Sequence, residues 1–153
     1  MRAWLVAVLV LGALTVPAAG REPDRPVEVV RARMGHHLRE VHQLTDHFER
    51  VLARACPRFA TPHEWRAYLD GEIDRVVLLM AHLEQAWIEA KRTGDDEVRR
   101  TAKAPRQRVH RAHALLGKLS GCAEDHGVPL SPGAVRRRIE REIPHRQAQI
   151  ALP

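Results

Sequence analysis

Aromatic side chains are nearly missing from this chain, which has two Phe, one Tyr and three Trp among 153 residues. With few β-branched residues and abundant Arg and Ala, that scarcity points to an all-α protein. Also lacking is any second long apolar run, so nothing beyond the first twenty residues can cross a bilayer. There is no Gly-rich phosphate loop, no H-E-x-x-H and no nucleophile elbow, and an enzyme is not expected. No internal repeat, low-complexity tract or second domain is visible.

The N-terminus has the layout of an export signal. Arg2 supplies a positive start, Trp4 to Val16 an apolar run, and Ala18-Ala19-Gly20 a small-residue cleavage site before Arg21. Such a run is too short to span a hydrocarbon core of roughly 30 Å comfortably. No Cys lies at the cleavage point, which argues against a lipid anchor; an uncleaved membrane anchor is the alternative to a cleaved signal. The expected layout is a signal peptide at 1–20, a leader at 21–26, and one helical-bundle domain at 27–150. The expected location is periplasmic or secreted, with no transmembrane segment once the signal is removed.

The domain is organised around the stretch Val27 to Ala55. Its apolar residues Val27, Val30, Met34, Leu38, Val41, Leu44, Phe48, Val51, Leu52 and Ala55 alternate in threes and fours, the stripe of a helix that commits one face to other helices. Thr61-Pro62-His63-Glu64 is a capping box with Pro at the first helical position, and it opens a second helix. That helix carries a stripe of Trp65, Leu69, Ile73, Val76, Met80, Leu83, Trp87 and Ala90. Asp70-Gly71 could interrupt it, while the apolar run Val76 to Ala81 should make it the most buried element. A third helix starts at Asp95-Asp96, must bend or split at Pro105, and is expected to close at Gly121. Ser131-Pro132 starts a short fourth helix with Val135, Ile139 and Ile143 inward, expected to stop at Pro144. The expected fold is an up-down-up bundle of three main helices plus a short fourth.

Two cysteines in an exported protein suggest one disulfide. Cys56 ends the first helix and Cys122 the third, and in an up-down-up bundle these ends coincide. Closing a loop of this length stabilises a fold by on the order of 4 kcal/mol in the chain-entropy model. The bridge also sets heights. His47 lies nine residues before Cys56 and His113 nine before Cys122, so His47, His110 and His113 form one expected group. Counting back along the first hairpin puts His82 level with His36 and His37, a second group in which His37 occupies the seam. Imidazoles one turn apart or on facing helices can ligate zinc, copper or nickel. The ordinary alternative is that they are polar seam and surface residues bonded to carboxylates.

Charge is uneven. From Arg21 to Glu97 there are 12 basic and 15 acidic residues, a balance of −3, whereas Val98 to Pro153 has 12 basic and 4 acidic, a balance of +8. The two halves can attract each other. Alternatively, Arg99, Arg100, Lys103, Arg106 and Arg111, with Arg136, Arg137 and Arg138, form a surface for an anionic partner. No aromatics interleave those cations for base stacking, so nucleic acid is disfavoured, and an envelope protein or anionic surface fits export better. The long seam could equally be covered by a second copy of the chain, making a homo-oligomer.

The pentad Cys122-Ala123-Glu124-Asp125-His126 resembles a c-type haem attachment motif in which Asp125 stands where the second Cys belongs. The c′-type cytochromes are exported four-helix bundles with that motif late in the chain. Some of that superfamily take an axial Met from the first helix, where this chain has Met34. The resemblance implies a haem-binding bundle, with two departures: one thioether Cys is missing, and Gly127 and Pro129 follow where the family's helix continues.

These readings make the expected protein a non-enzymatic binding or structural component of the cell envelope. A His-based metal-binding or metal-sensing protein is the alternative, and haem binding a distant third.

Overall fold

The computed structural model describes residues 25–152; the expected signal peptide and residues 21–24 of the leader lie outside the described residues. Helix α1 runs Val27–Ala53, and α2 runs Pro62–Ala90. Helix α3 (Asp96–Lys103) passes through a 3₁₀ turn, Ala104–Arg108, into α4 (Val109–Glu124), and α5 spans Pro132–Gln149.

Each boundary has a local cause. At the start of α2 the Thr61 hydroxyl accepts from Glu64 N at 3.2 Å while the Glu64 carboxylate accepts from Thr61 N at 3.0 Å, the expected capping box. Asp95 caps α3 by accepting from Glu97 N at 2.9 Å and Val98 N at 3.2 Å. Pro105 brings no amide proton, and the third rod splits there into α3 and α4. Helix α1 stops at Ala53, two residues before the expected Ala55, as Arg54 turns extended ahead of Pro57. Its freed carbonyls are held from another element: Lys118 Nζ donates to Val51 O at 3.1 Å, to Leu52 O at 2.9 Å and to Arg54 O. An ammonium there also suits the negative end of the helix dipole.

Three expectations need correction. Gly121 does not close α4. The left-handed residue is Gly127, at φ 72°, and with it Val128 N donates to Ala123 O at 2.9 Å and Gly127 N to Glu124 O at 3.0 Å. These two bonds make a Schellman ending whose apolar contact is Val128 near Ala123, both buried. Pro144 does not stop α5, which continues to Gln149 with Pro144 inside it. The extra turn is tied to α2, since Gln147 Nε2 donates to Glu84 at 3.2 Å and Arg146 pairs with Asp74 at 3.8 Å. Asp70-Gly71 does not interrupt α2 either, although a mid-helix Gly costs roughly 1 kcal/mol relative to Ala.

Side-chain pairs between helices set the directions. His37 faces His82 and His47 faces Glu72, so α1 and α2 are antiparallel. Arg111 pairs with Glu49, and Cys56 is bonded to Cys122 with Cα atoms 5.6 Å apart, so α4 runs parallel to α1. Arg138 reaches Asp74 and Gln147 reaches Glu84, so α5 runs parallel to α2. The result is the expected disulfide-pinned bundle, with α2 at its centre packed against α1, α4 and α5.

The core comes in sections. Toward the disulfide end, Val41, Phe48, Trp65, Leu69, Val76, Leu79, Leu83, Leu115 and Leu119 pack together. Toward the other end, Val30, Met34, Ala86, Ala90, Val98 and Ala102 form a cluster of smaller side chains. A third cluster joins Ile73 and Val77 of α2 to Ile143 of α5. The seam of α2 takes in Leu69, Glu72, Val76, Leu79 and Leu83, whereas Met80 and Trp87 of the expected stripe sit at its edge. At the junction of the first two clusters, between Met34 and Val41 on α1 and just before Leu83 on α2, the seam holds His37 and His82.

Candidate metal centre

His37 is 0% exposed and His82 4% exposed, each in a position where the neighbouring turns place Met, Val, Leu or Ala. Their Nδ1 atoms approach to 3.0 Å. Only one of two neutral imidazoles can bring a proton to that contact, and the other meets it with a lone pair. His37 Nε2 has no hydrogen-bond partner in the interior. An orphaned buried polar atom costs about 1–3 kcal/mol, so an apolar residue would serve the packing better.

His36, one residue along α1, stands half-buried beside the pair, with ring centroids 5.4 Å from His37 and 5.9 Å from His82. Among the described residues, this is the one group of three His, Cys, Asp or Glu side chains whose ligand atoms all lie within 4.8 Å of one another. A tetrahedral ion with bonds of about 2.0–2.1 Å to nitrogen spaces its ligand atoms roughly 3.3 Å apart. The Nδ1 pair is already close to that spacing, and a ligand nitrogen of His36 lies within 4.8 Å of both partners. The group opens to the surface through a cleft of about 310 Å³, lined by His36, Glu40, Leu78, His82 and the end of α5 from Arg146 to Ala151. Glu40 stands one helical turn after His36 and offers a carboxylate at the same mouth.

Electrostatics favours free lone pairs here. Burial, reinforced by His82 and His36, holds the His37 imidazolium pKa down to about 4. Burial likewise lowers His82, with Glu40 opposing and His36 adding to the shift. Both rings are therefore neutral at pH 7, the form that binds a cation.

The other expected group does not assemble. His47 turns toward α2 and donates from Nε2 to Glu72 at 2.9 Å. Glu72 is 1% exposed and also accepts from Arg75 at 3.0 Å. His110 and His113 lie on the exposed side of α4, whose inward residues are Ala112, Leu115, Leu119, Cys122 and Ala123. The bridge fixed height and left rotation open.

The expected anionic-partner surface divides. Arg111 pairs with Glu49 at 2.8 Å and Arg136 with Glu140 at 3.8 Å. Arg138 is committed to Asp70, Asp74 and Glu142, while Arg137 is exposed nearby. Arg99, Arg100, Lys103 and Arg106 gather instead around Trp87.

The haem resemblance fails on its sulfur. Cys122 is spent in the bridge to Cys56, so the pentad has no thiol for a thioether. His126 Nδ1 lies 2.8 Å from Cys122 O, and its ring packs 5.0 Å from Trp65. Met34 lies in the small-residue cluster with Val30 and Ala86.

Two buried acids escape a reading of the sequence. Glu89 is 0% exposed and receives Arg25 at 3.2 Å and Arg92 at 3.2 Å, and Glu72 is the other. The signal was present for Glu72, which keeps the three-four spacing of Leu69, Val76, Leu79 and Leu83. No protein-family model, no curated protein and no solved structure matches the chain. No described helix is long and apolar enough to cross a membrane.

Proposed function

We propose that this is an exported, non-enzymatic helical bundle of the cell envelope that captures one borderline transition-metal ion with His36, His37 and His82, with Glu40 at the entrance. The observation that carries the reading is the pair of buried, neutral imidazoles meeting at Nδ1 over 3.0 Å with a third imidazole beside them and a cleft leading in. Nitrogen with one carboxylate suits zinc, copper or nickel over magnesium or calcium, which prefer all-oxygen shells. Export is supported by the Trp4 to Val16 run with its small-residue site, and by a bridge of the kind that persists in oxidising compartments. In that compartment the partner is an envelope protein or an anionic surface, a reading that the positive second half supports.

The test is metal analysis of protein purified without a histidine tag, followed by titration with zinc, copper and nickel while the unfolding midpoint is recorded. One equivalent should bind, and free metal at a hundred times Kd should stabilise the fold by about 2.7 kcal/mol. His37→Ala and His82→Ala should abolish that gain, and His113→Ala should leave it intact. Binding that survives both seam substitutions, or none of the three ions binding, removes the proposal.

A further inference from the structure

The end of the bundle away from the disulfide has a chemistry of its own. Trp87, near the close of α2, is surrounded by cations: Lys91 Nζ lies 5.1 Å from its ring centroid, Lys103 Nζ 5.0 Å and Arg106 Cζ 5.3 Å. Arg99 and Arg100 line the same open cleft, with Asp96 the one acid among its lining residues. Asp96 is engaged by Arg99 at 3.5 Å. Among the described residues no carboxylate pairs with Lys91, Arg100, Lys103 or Arg106, in contrast to the arginines of α5 that face α2. Four cations without a paired carboxylate are thus gathered around one indole.

Exposed apolar side chains lie in the same half. Among the described residues, the large hydrophobic side chains standing out to solvent are Val29, at the start of α1, Ile88, next to Trp87, and Leu152, just beyond α5. Arg25 N donates to Arg92 O at 3.3 Å, so the first described residue lies beside the end of α2. An indole, long cations able to lie along apolar surface, and scattered exposed aliphatics form the composition of a water–lipid interface.

We infer that this pole docks on an anionic phospholipid surface, with Lys91, Arg100, Lys103 and Arg106 at the headgroups and Trp87 at the boundary. The inference does not rest on the histidine cluster. A single-stranded nucleic acid fits less well, because base stacking needs free aromatic faces and the one indole here is attended by the protein's own cations.

Flotation of the full chain with vesicles tests it. Vesicles containing phosphatidylglycerol should carry several-fold more protein than neutral phosphatidylcholine vesicles at moderate salt, and the excess should vanish as salt rises. Changing Arg100, Lys103 and Arg106 together to Gln should reduce the excess by at least about tenfold, given the attraction of each basic residue to an anionic leaflet. The triple Arg136→Gln, Arg137→Gln, Arg141→Gln variant, at the other end of α5, should retain it. Equal flotation on both vesicle types, or equal loss in both triple variants, overturns the proposal. So does binding of RNA or polyphosphate that depends on Arg100, Lys103 and Arg106 in the absence of anionic-vesicle binding. Circular dichroism of each variant excludes loss of fold as the cause.

Discussion

Helices α1 and α2 meet at two levels through a histidine, and the two levels are handled in opposite ways. At the lower level His47 faces Glu72, a buried carboxylate that also takes Arg75. At the upper level His37 faces His82, with no acid between them. The lower arrangement ties the imidazole by Nε2, because the carboxylate fixes that nitrogen as a donor. The upper one sets two imidazoles nitrogen to nitrogen, one donating and one accepting, and leaves a buried nitrogen unpaired. The same residue type, about three turns away on one helix, is held by an acid in one case and paired with a second imidazole in the other because of a single opposing side chain.

Replacing two polar residues by leucine at each level separates the cases. His47→Leu with Arg75→Leu strands a carboxylate that is 1% exposed, and breaking a buried pair from one side typically costs about 3–5 kcal/mol. His37→Leu with His82→Leu removes an orphan and fills the seam, so the metal-free protein should be unchanged or more stable by about 1 kcal/mol. Urea midpoints at pH 7 measure both, and similar costs at the two levels would erase the distinction. A smaller effect appears in acid. His37 and His82 have pKa values lowered by folding, so the unfolded chain binds their protons first. The stability they permit is complete above the unfolded value near 6.5 and is lost as pH falls toward about 4. The double leucine variant should lose that portion of the acid slope, which urea curves at stepped pH would detect.

Much of the fold was legible because its signals are local. Thr61 with Glu64 marks a helix start by chemistry alone, and Pro105 forbids a continuous third rod. The pairing of Cys56 with Cys122 follows from helix count, and the level of His36, His37 and His82 follows from counting residues around the hairpin. What escaped depends on rotation and on distant partners. A helix can turn about its axis without changing any height, which is why His110 and His113 miss His47. The last turn of α5 survives Pro144 because Gln147 and Arg146 are held by α2, and no local pattern announces that. Glu72 was passed over since acids are ordinarily solvated, although its spacing had already put it in the seam.

The bridge and the histidine pair fasten different partners of the same rod. Cys56–Cys122 ties α1 to α4 at one end, while His37 and His82 join α1 to α2 closer to the other. Helix α1 is therefore clasped twice, by a covalent bond that electrons can open and by a buried imidazole contact. Under the metal capture proposed above, a reductant and a chelator would loosen different seams, and neither would free the rod alone.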